Sequence, residues 1–148
     1  MKLAIFTFLL FITSNALACE KVIKIIDGDT IETSITGRIR ILGIDSFDKL
    51  PKVVAKQSKR TGFSNKDILH LREVGKDFAT ETLANKCVEL KSDYKDTDIY
   101  GRKLRYIIVN GADYSLSIIK QGLAMPYCED KKIRNFKKYN EASSWRCK

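Results

Sequence analysis

The sequence predicts an α+β domain: a small β-barrel with helices packed outside it. Three observations predict it. Three short runs of branched residues follow one another between Val22 and Ile44, separated only by tight turn signals. Two further strand-like runs lie beyond residue 86. Helical patterns fall between and after those runs, which sets helices against a sheet rather than alternating them through it.

Val22 to Ile26 reads as the first strand, because branched residues suit a pleated, half-buried surface. Asp27-Gly28-Asp29 is a turn signal. Thr30 to Ile35 is the second strand, closed by Thr36-Gly37. Ile39, Ile41 and Ile44 mark a third, with Arg38 and Arg40 on its alternate face. Three strands in succession argue for an antiparallel meander that curls. Lys49 to Val74 carries Lys49, Lys52, Lys56, Lys59, Arg60, Lys66 and Arg72 against Asp67 and Glu73. Pro51 and Thr61-Gly62-Phe63-Ser64-Asn65 interrupt it, so it reads as a long basic loop with a short helix near Asp67 to Arg72. Gly75 to Lys86 is helical, with Phe78, Ala79, Thr82 and Leu83 on one face. Cys87 to Leu90 and Leu104 to Val109 are the fourth and fifth strands, and Asn110-Gly111 turns the latter. Tyr114 to Gln121 is a helix stopped by Gly122. Lys131 to Trp145 is a last amphipathic helix facing inward through Ile133, Phe136, Tyr139 or Asn140, and Trp145.

Residues 1–18 read as a signal peptide. Lys2 is a short positive start, Leu3 to Ile12 is apolar but for Thr7, and Ala16-Leu17-Ala18 is an A-x-A cleavage site. The apolar run is too short for a stable membrane anchor. Cleavage after Ala18 leaves residues 19–148 as one domain, secreted or periplasmic. The alternative is a lipid-anchored form held through Cys19, and only that form would involve a membrane. The whole chain carries 27 Lys+Arg and 18 Asp+Glu, a net charge of +9, and losing Lys2 leaves +8. A basic exported domain favours a polyanion partner. Cys19, Cys87, Cys128 and Cys147 read as two disulfides in an oxidising compartment, with three pairings open. Zinc is disfavoured, since there is no C-x-x-C pair and His70 is the lone histidine.

The chemistry-bearing residues cluster in two places. Asp27, Asp29, Arg40, Asp45 and Asp48 lie within the first three strands and their ends, and Asp98-Ile99-Tyr100-Gly101-Arg102 forms a second compact signature. Carboxylates that can hold a hard cation, beside arginines that can fork onto phosphate oxygens, are what phosphodiester cleavage needs.

Four segments, in order, make the chain resemble the staphylococcal-nuclease-like (thermonuclease) family: I-D-G-D-T-I, R-I-L-G-I-D-S-F-D, D-I-Y-G-R-K-L and K-Q-G-L-A. The resemblance covers most of Val22 to Trp145 and is weakest over Lys49 to Val74. It implies an OB-fold, a five-stranded barrel with three packed helices. It implies calcium-dependent endonuclease cleavage of DNA and RNA, single-stranded or frayed by preference, to 3′-phosphate products. By matched position, Asp29, Asp45 and the Ser46 carbonyl would bind calcium. Arg40 and Arg102 would contact the reacting phosphate, Asp48 would stand at the general-base position, and Tyr100 and Tyr127 would contact the nucleotide. No stable protein partner is implied, and a monomer is expected. Two departures bear on activity. The family's threonine-proline-glutamate is Ser46-Phe47-Asp48 here, which shortens the base by one methylene, and Ile99 replaces a lysine. The alternative is a weak or inactive nucleic-acid-binding module on the same fold.

Overall fold

The computed structural model describes residues 19–148, so the signal-peptide expectation for residues 1–18 lies outside the described residues. Strands β1 (Glu20–Asp27), β2 (Thr30–Thr33) and β3 (Gly37–Ile41) form the meander. β4 (Ile44–Ser46), α1 (Pro51–Thr61) and α2 (Asn65–Leu83) follow. Then come β5 (Cys87–Lys91), β6 (Lys103–Val109), β7 (Ala112–Asp113), α3 (Tyr114–Lys120), β8 (Ala124–Pro126) and α4 (Phe136–Ala142).

The barrel order is β3-β2-β1-β5-β6, and β6 returns to pair with β3. That closing pair is parallel, with Ile39 opposite Lys103 and Arg40 opposite Leu104, whereas the other pairs in the ring are antiparallel. This closed five-stranded mixed barrel with outer helices is the OB-fold α+β architecture. Irregularities in β1 between Val22 and Lys24 and between Ile25 and Asp27 bend the strand, so that it serves two neighbours. Ile39 and Ile41 point into the core while Arg38 and Arg40 do not, as the period-2 pattern predicts. Val22, Ile31, Ile107, Ile118 and Tyr139 join them as fully buried residues.

Three sequence expectations are corrected, the third being the length of the last helix. First, Ile39 to Ile44 is not one strand. β3 ends at Ile41, the chain turns through Gly43 at φ +82°, and β4 leaves the barrel to pair with β8. A Cβ at Gly43 would lie 2.4 Å from the Tyr139 ring, so only glycine passes beneath that ring. Second, there are four helices rather than three, and Lys49 to Val74 is not a loop. Pro51 does not break the chain's regularity but occupies the helix start, where its missing N–H costs nothing. Gly62 takes a left-handed conformation, φ +82°, and ends α1. Its N–H donates to the Ser58 carbonyl at 2.8 Å. Ser64 and Asp67 then form a capping box that starts α2. α2 therefore runs unbroken through both the short helix expected near Asp67 and the one expected from Gly75. α4 is shorter than the expected span from Lys131 to Trp145.

The disulfides are Cys19–Cys87 and Cys128–Cys147, with no free cysteine. The first staples β1 to β5 and the second ties the segment after β8 to the C-terminal residues. Their sequence separations are 68 and 19. Loops of that size correspond to roughly 4 and roughly 3 kcal/mol of lost chain entropy in the unfolded state. A smaller apolar cluster of Phe47, Val54, Ile68 and Met125, packed by Trp145, sits between α1, α2 and β8.

Gly43→Ala should cost at least about 2 kcal/mol, from positive φ and from the collision with Tyr139 together. Urea denaturation of the two proteins measures it. An unchanged midpoint would mean that Tyr139 does not seat over this turn.

Candidate active site

The Asp27-Gly28-Asp29 turn is anchored from below. The Tyr114 hydroxyl, fully buried, donates to the Gly28 carbonyl at 2.8 Å. Gly28 allows a close approach, since a Cβ there would meet the Ser46 Cβ at 3.0 Å and push it back. The turn therefore presses against β4 and aims Asp29 at it. Asp29 is buried, at 7% exposure. Its Oδ2 accepts from the Ser46 N–H and the Ser46 hydroxyl, both at 2.8 Å, and lies 3.2 Å from an Arg40 guanidinium nitrogen. Its Oδ1 accepts from the Thr30 hydroxyl at 2.9 Å. Burial alone would raise the Asp29 carboxyl. The Arg40 charge and the Ser46 donors outweigh it and hold the group below the ordinary aspartate range.

Barrel closure brings the arginines together. β3 lies between β2 and β6, with Thr30 opposite Arg40 on one side and Arg40 opposite Leu104 on the other. Arg102 precedes β6 and so arrives at the same end of the barrel. One of its terminal nitrogens donates to the Thr30 hydroxyl at 3.4 Å. Asp98 orients it, with Oδ2 accepting from Arg102 Nε at 2.7 Å and Oδ1 accepting from the backbone N–H groups of Tyr100 and Arg102. Each arginine also stacks on one of the tyrosines named from sequence. Arg40 lies over Tyr127 at 5.7 Å. Arg102 lies over Tyr100 at 5.6 Å. Tyr100 is 79% exposed. Arg40, Asp98, Arg102 and Tyr127 line a cleft of about 730 Å³. That size is usual for ligand sites.

Asp45 opens onto an adjoining hollow of about 280 Å³, shared with Lys56, Gln57, Arg60, Tyr127 and Glu129. Burial, then the negative charge of Asp29, raises the Asp45 carboxyl. Asp27 is raised by the same two causes, to about 6. The set offers only hard oxygen donors, and two of its carboxylates are held up by burial and by the charge of Asp29. That is the chemistry of a calcium or magnesium site completed by water and phosphate oxygens. Among the described residues no three carboxylate, histidine or cysteine side chains form a cage by themselves. The Ser46 carbonyl accepts from Gln57 Nε2 at 2.9 Å.

Asp48 stands apart. It lines neither hollow. Its Oδ1 accepts from the backbone N–H groups of Lys49 at 2.5 Å and Leu50 at 2.8 Å, a turn that leads into α1. No hydrogen bond engages its Oδ2 among the described residues.

Sequence reasoning missed Gln57. It is only 2% exposed and holds the loop from both sides, donating to Ser46 and accepting from the Asp48 N–H at 3.1 Å. Nothing local marks it; a glutamine in a cation-rich stretch looks like surface until α1 is known to pack on β4. Arg60 likewise looks like surface charge in the sequence. It instead donates to the carbonyls of Pro126 at 3.1 Å and Trp145 at 2.8 Å. His70 is exposed on α2.

A family model described as staphylococcal nuclease homologue matches residues 38–147. The chain belongs to that family. The thermonuclease of Staphylococcus hyicus is 31% identical over 107 residues, covering 70% of this chain and 56% of that one. An uncharacterized protein of Methanocaldococcus jannaschii is 30% identical over 132 residues, covering 78% of this chain and 62% of that one. The chain thus spans about three fifths of the length of the curated relatives it matches. The family match includes Arg40, Asp45, Asp48 and Arg102, and it begins after the Asp29 turn.

Gln57→Met should leave the Ser46 carbonyl and the Asp48 N–H without partners and destabilise the protein by roughly 2–3 kcal/mol. Gln57→Glu should cost more, because it turns a carboxylate toward the Ser46 carbonyl. Urea midpoints, with amide exchange at Asp48, read both effects. Protection of the Asp48 amide as in wild type would refute the contact.

Proposed function

We propose that the protein is an exported, calcium-dependent nuclease acting on DNA and RNA. One observation carries the reading: two guanidinium groups remote in sequence, Arg40 and Arg102, line a single cleft, and Arg40 is paired there with the buried Asp29 carboxylate behind it. The family membership and the thermonuclease relative support it. Asp29, through its less occupied Oδ1, and Asp45 would hold the cation, with the Ser46 carbonyl as the third ligand suggested by its position. Bound there, calcium would neutralise a non-bridging phosphate oxygen.

The remaining roles fall to the chain itself. Arg40 is held by Asp29 and by the Ile41 carbonyl at 3.2 Å, and Arg102 is held by Asp98. Both forks are therefore oriented before substrate arrives. They would meet the charge that builds on the phosphoryl oxygens. Tyr127 and Tyr100, stacked on them, would face the nucleotide. Water adds to phosphorus and the bond to the 5′ oxygen breaks; the departing 5′ oxygen takes a proton from solvent, leaving a 3′-phosphate and a 5′-hydroxyl. Asp48 takes the water's proton on Oδ2, the oxygen free of hydrogen bonds, while Oδ1 keeps the turn. The Cys19–Cys87 bridge supports export to an oxidising compartment over a lipid anchor, since the Cys19 sulfur is already bonded to Cys87. The position of Asp48 outside the cleft lining favours a second reading, a nucleic-acid-binding module without turnover.

Incubation of the purified protein with plasmid DNA and with RNA decides between them. Cleavage should appear with calcium and disappear with a chelator. Arg102→Lys should lower it at least about 10²-fold with folding retained, because a point charge lacks the fork. Near-normal activity in that variant would remove Arg102 from the mechanism.

Asp48→Asn keeps an oxygen to accept the turn's N–H groups but is not a base. It should retain the wild-type melting temperature and lose most activity, whereas Asp48→Ala should lose both. Full cleavage by Asp48→Asn would make the residue a turn former only. No cleavage by wild type would establish the binding module.

A further inference from the structure

The cleft does not end at the arginines. Its lining also includes Tyr94, Lys95 and Lys132, none of which the reaction uses. Tyr94 is 59% exposed, yet its hydroxyl is fixed, donating to both carboxylate oxygens of Asp130 at 2.7 and 2.8 Å. An exposed ring held by its polar tip is a preformed stacking face that loses little entropy on binding.

The charge around it is unbalanced. Of the acids of the cleft, Asp98 is paired with Arg102 and Glu129 with Lys56, while Asp130 is fixed by the Tyr94 hydroxyl and the Lys132 backbone N–H and keeps its charge. The ammonium groups of Lys95 and Lys132 have no carboxylate partner among the described residues, and both side chains are exposed. An aromatic face that shares a cleft with two lysines lacking carboxylate partners, and with a phosphate-directed arginine pair, has the chemistry of a nucleotide subsite on a single strand.

We propose that Tyr94, Lys95 and Lys132 bind a nucleotide of a single-stranded nucleic acid beyond the one at the arginines. The base stacks on Tyr94, and the lysines meet the flanking phosphates. The subsite makes the protein prefer a polymer to a dinucleotide. It rests on the nucleic-acid reading above, though not on turnover.

Fluorescein-labelled oligothymidylates of two and eight nucleotides, titrated in chelator so that nothing is cut, test it by anisotropy. Wild type should bind the octamer more tightly than the dimer. Tyr94→Ala should weaken octamer binding roughly tenfold. The Lys95→Ala/Lys132→Ala double variant should lower the salt slope by about 1.4, two single-strand phosphate contacts. In both variants the gap between octamer and dimer should narrow. Tyr94→Phe, which keeps the ring, should bind better than Tyr94→Ala. Octamer binding equal to wild type in both the alanine variants overturns the proposal, as does the absence of measurable octamer binding by wild type. A protein that shows this pattern and still cuts nothing with calcium keeps the subsite and loses the nuclease reading.

Discussion

A buried carboxylate that must be satisfied organises this molecule. Asp29 sits at 7% exposure. An unpaired charge there would be untenable. Four donors therefore converge on it: the Ser46 N–H and hydroxyl, the Thr30 hydroxyl and Arg40. They come from three different pieces of architecture. Ser46 is in β4, which has left the barrel. Thr30 opens β2, and Arg40 is an outward residue of β3. Satisfying Asp29 therefore fixes the first hairpin, the departing strand and one guanidinium in a single register. Removing any one would leave charge or donors stranded in a dry site, which ties the stability of the fold to the geometry of the site.

The outer elements act on the loop after β4. Phe47, where the family has proline, is 2% exposed and packs edge-on against Trp145 at 5.8 Å. Proline would have stiffened this loop through its backbone. Here side-chain packing takes that part, with Gln57 holding the loop from α1. Arg60 and the Cys128–Cys147 disulfide hold the C-terminal segment that carries Trp145. The loop is thus supported from three sequence regions at once, and the basic stretch that contributes α1 serves this support as well as surface charge. Its cations divide by position: Lys56 pairs with Glu129 beside the hollow of Asp45, and Arg60 reaches into backbone carbonyls.

Much of the fold was legible in the sequence. Period-2 branched runs located β1, β2, β3, β5 and β6, the D-G-D and N-G turns located strand ends, and Gly122 located the end of α3. Asn110 and Gly111 both take positive φ, as a tight hairpin turn demands. The segment expected to be a loop differs for a local reason. Pro51 and Gly62 resemble interruptions, yet they are the start and stop signals of one helix, and Ser64 with Asp67 is the capping box of the next. The break at Gly43 was invisible, because its cause is the Tyr139 ring, which lies far along the chain.

The sequence by itself determined which chemistry is available: oxygen donors, arginine forks, aromatic faces, an excess of positive charge and enough cysteines for two bridges. Residue type carries those properties wherever the chain goes. Only the tertiary structure decided which of them meet. The parallel β3–β6 pairing placed Arg102 beside Arg40 and Thr30, and the closing of β1 on β5 chose Cys87 as the partner of Cys19. The turn into α1 drew Asp48 away from the cleft lining, although it lies three residues from Asp45. The physical reason is that such meetings depend on long-range pairing and on which buried polar groups find partners, and neither is written in local spacing.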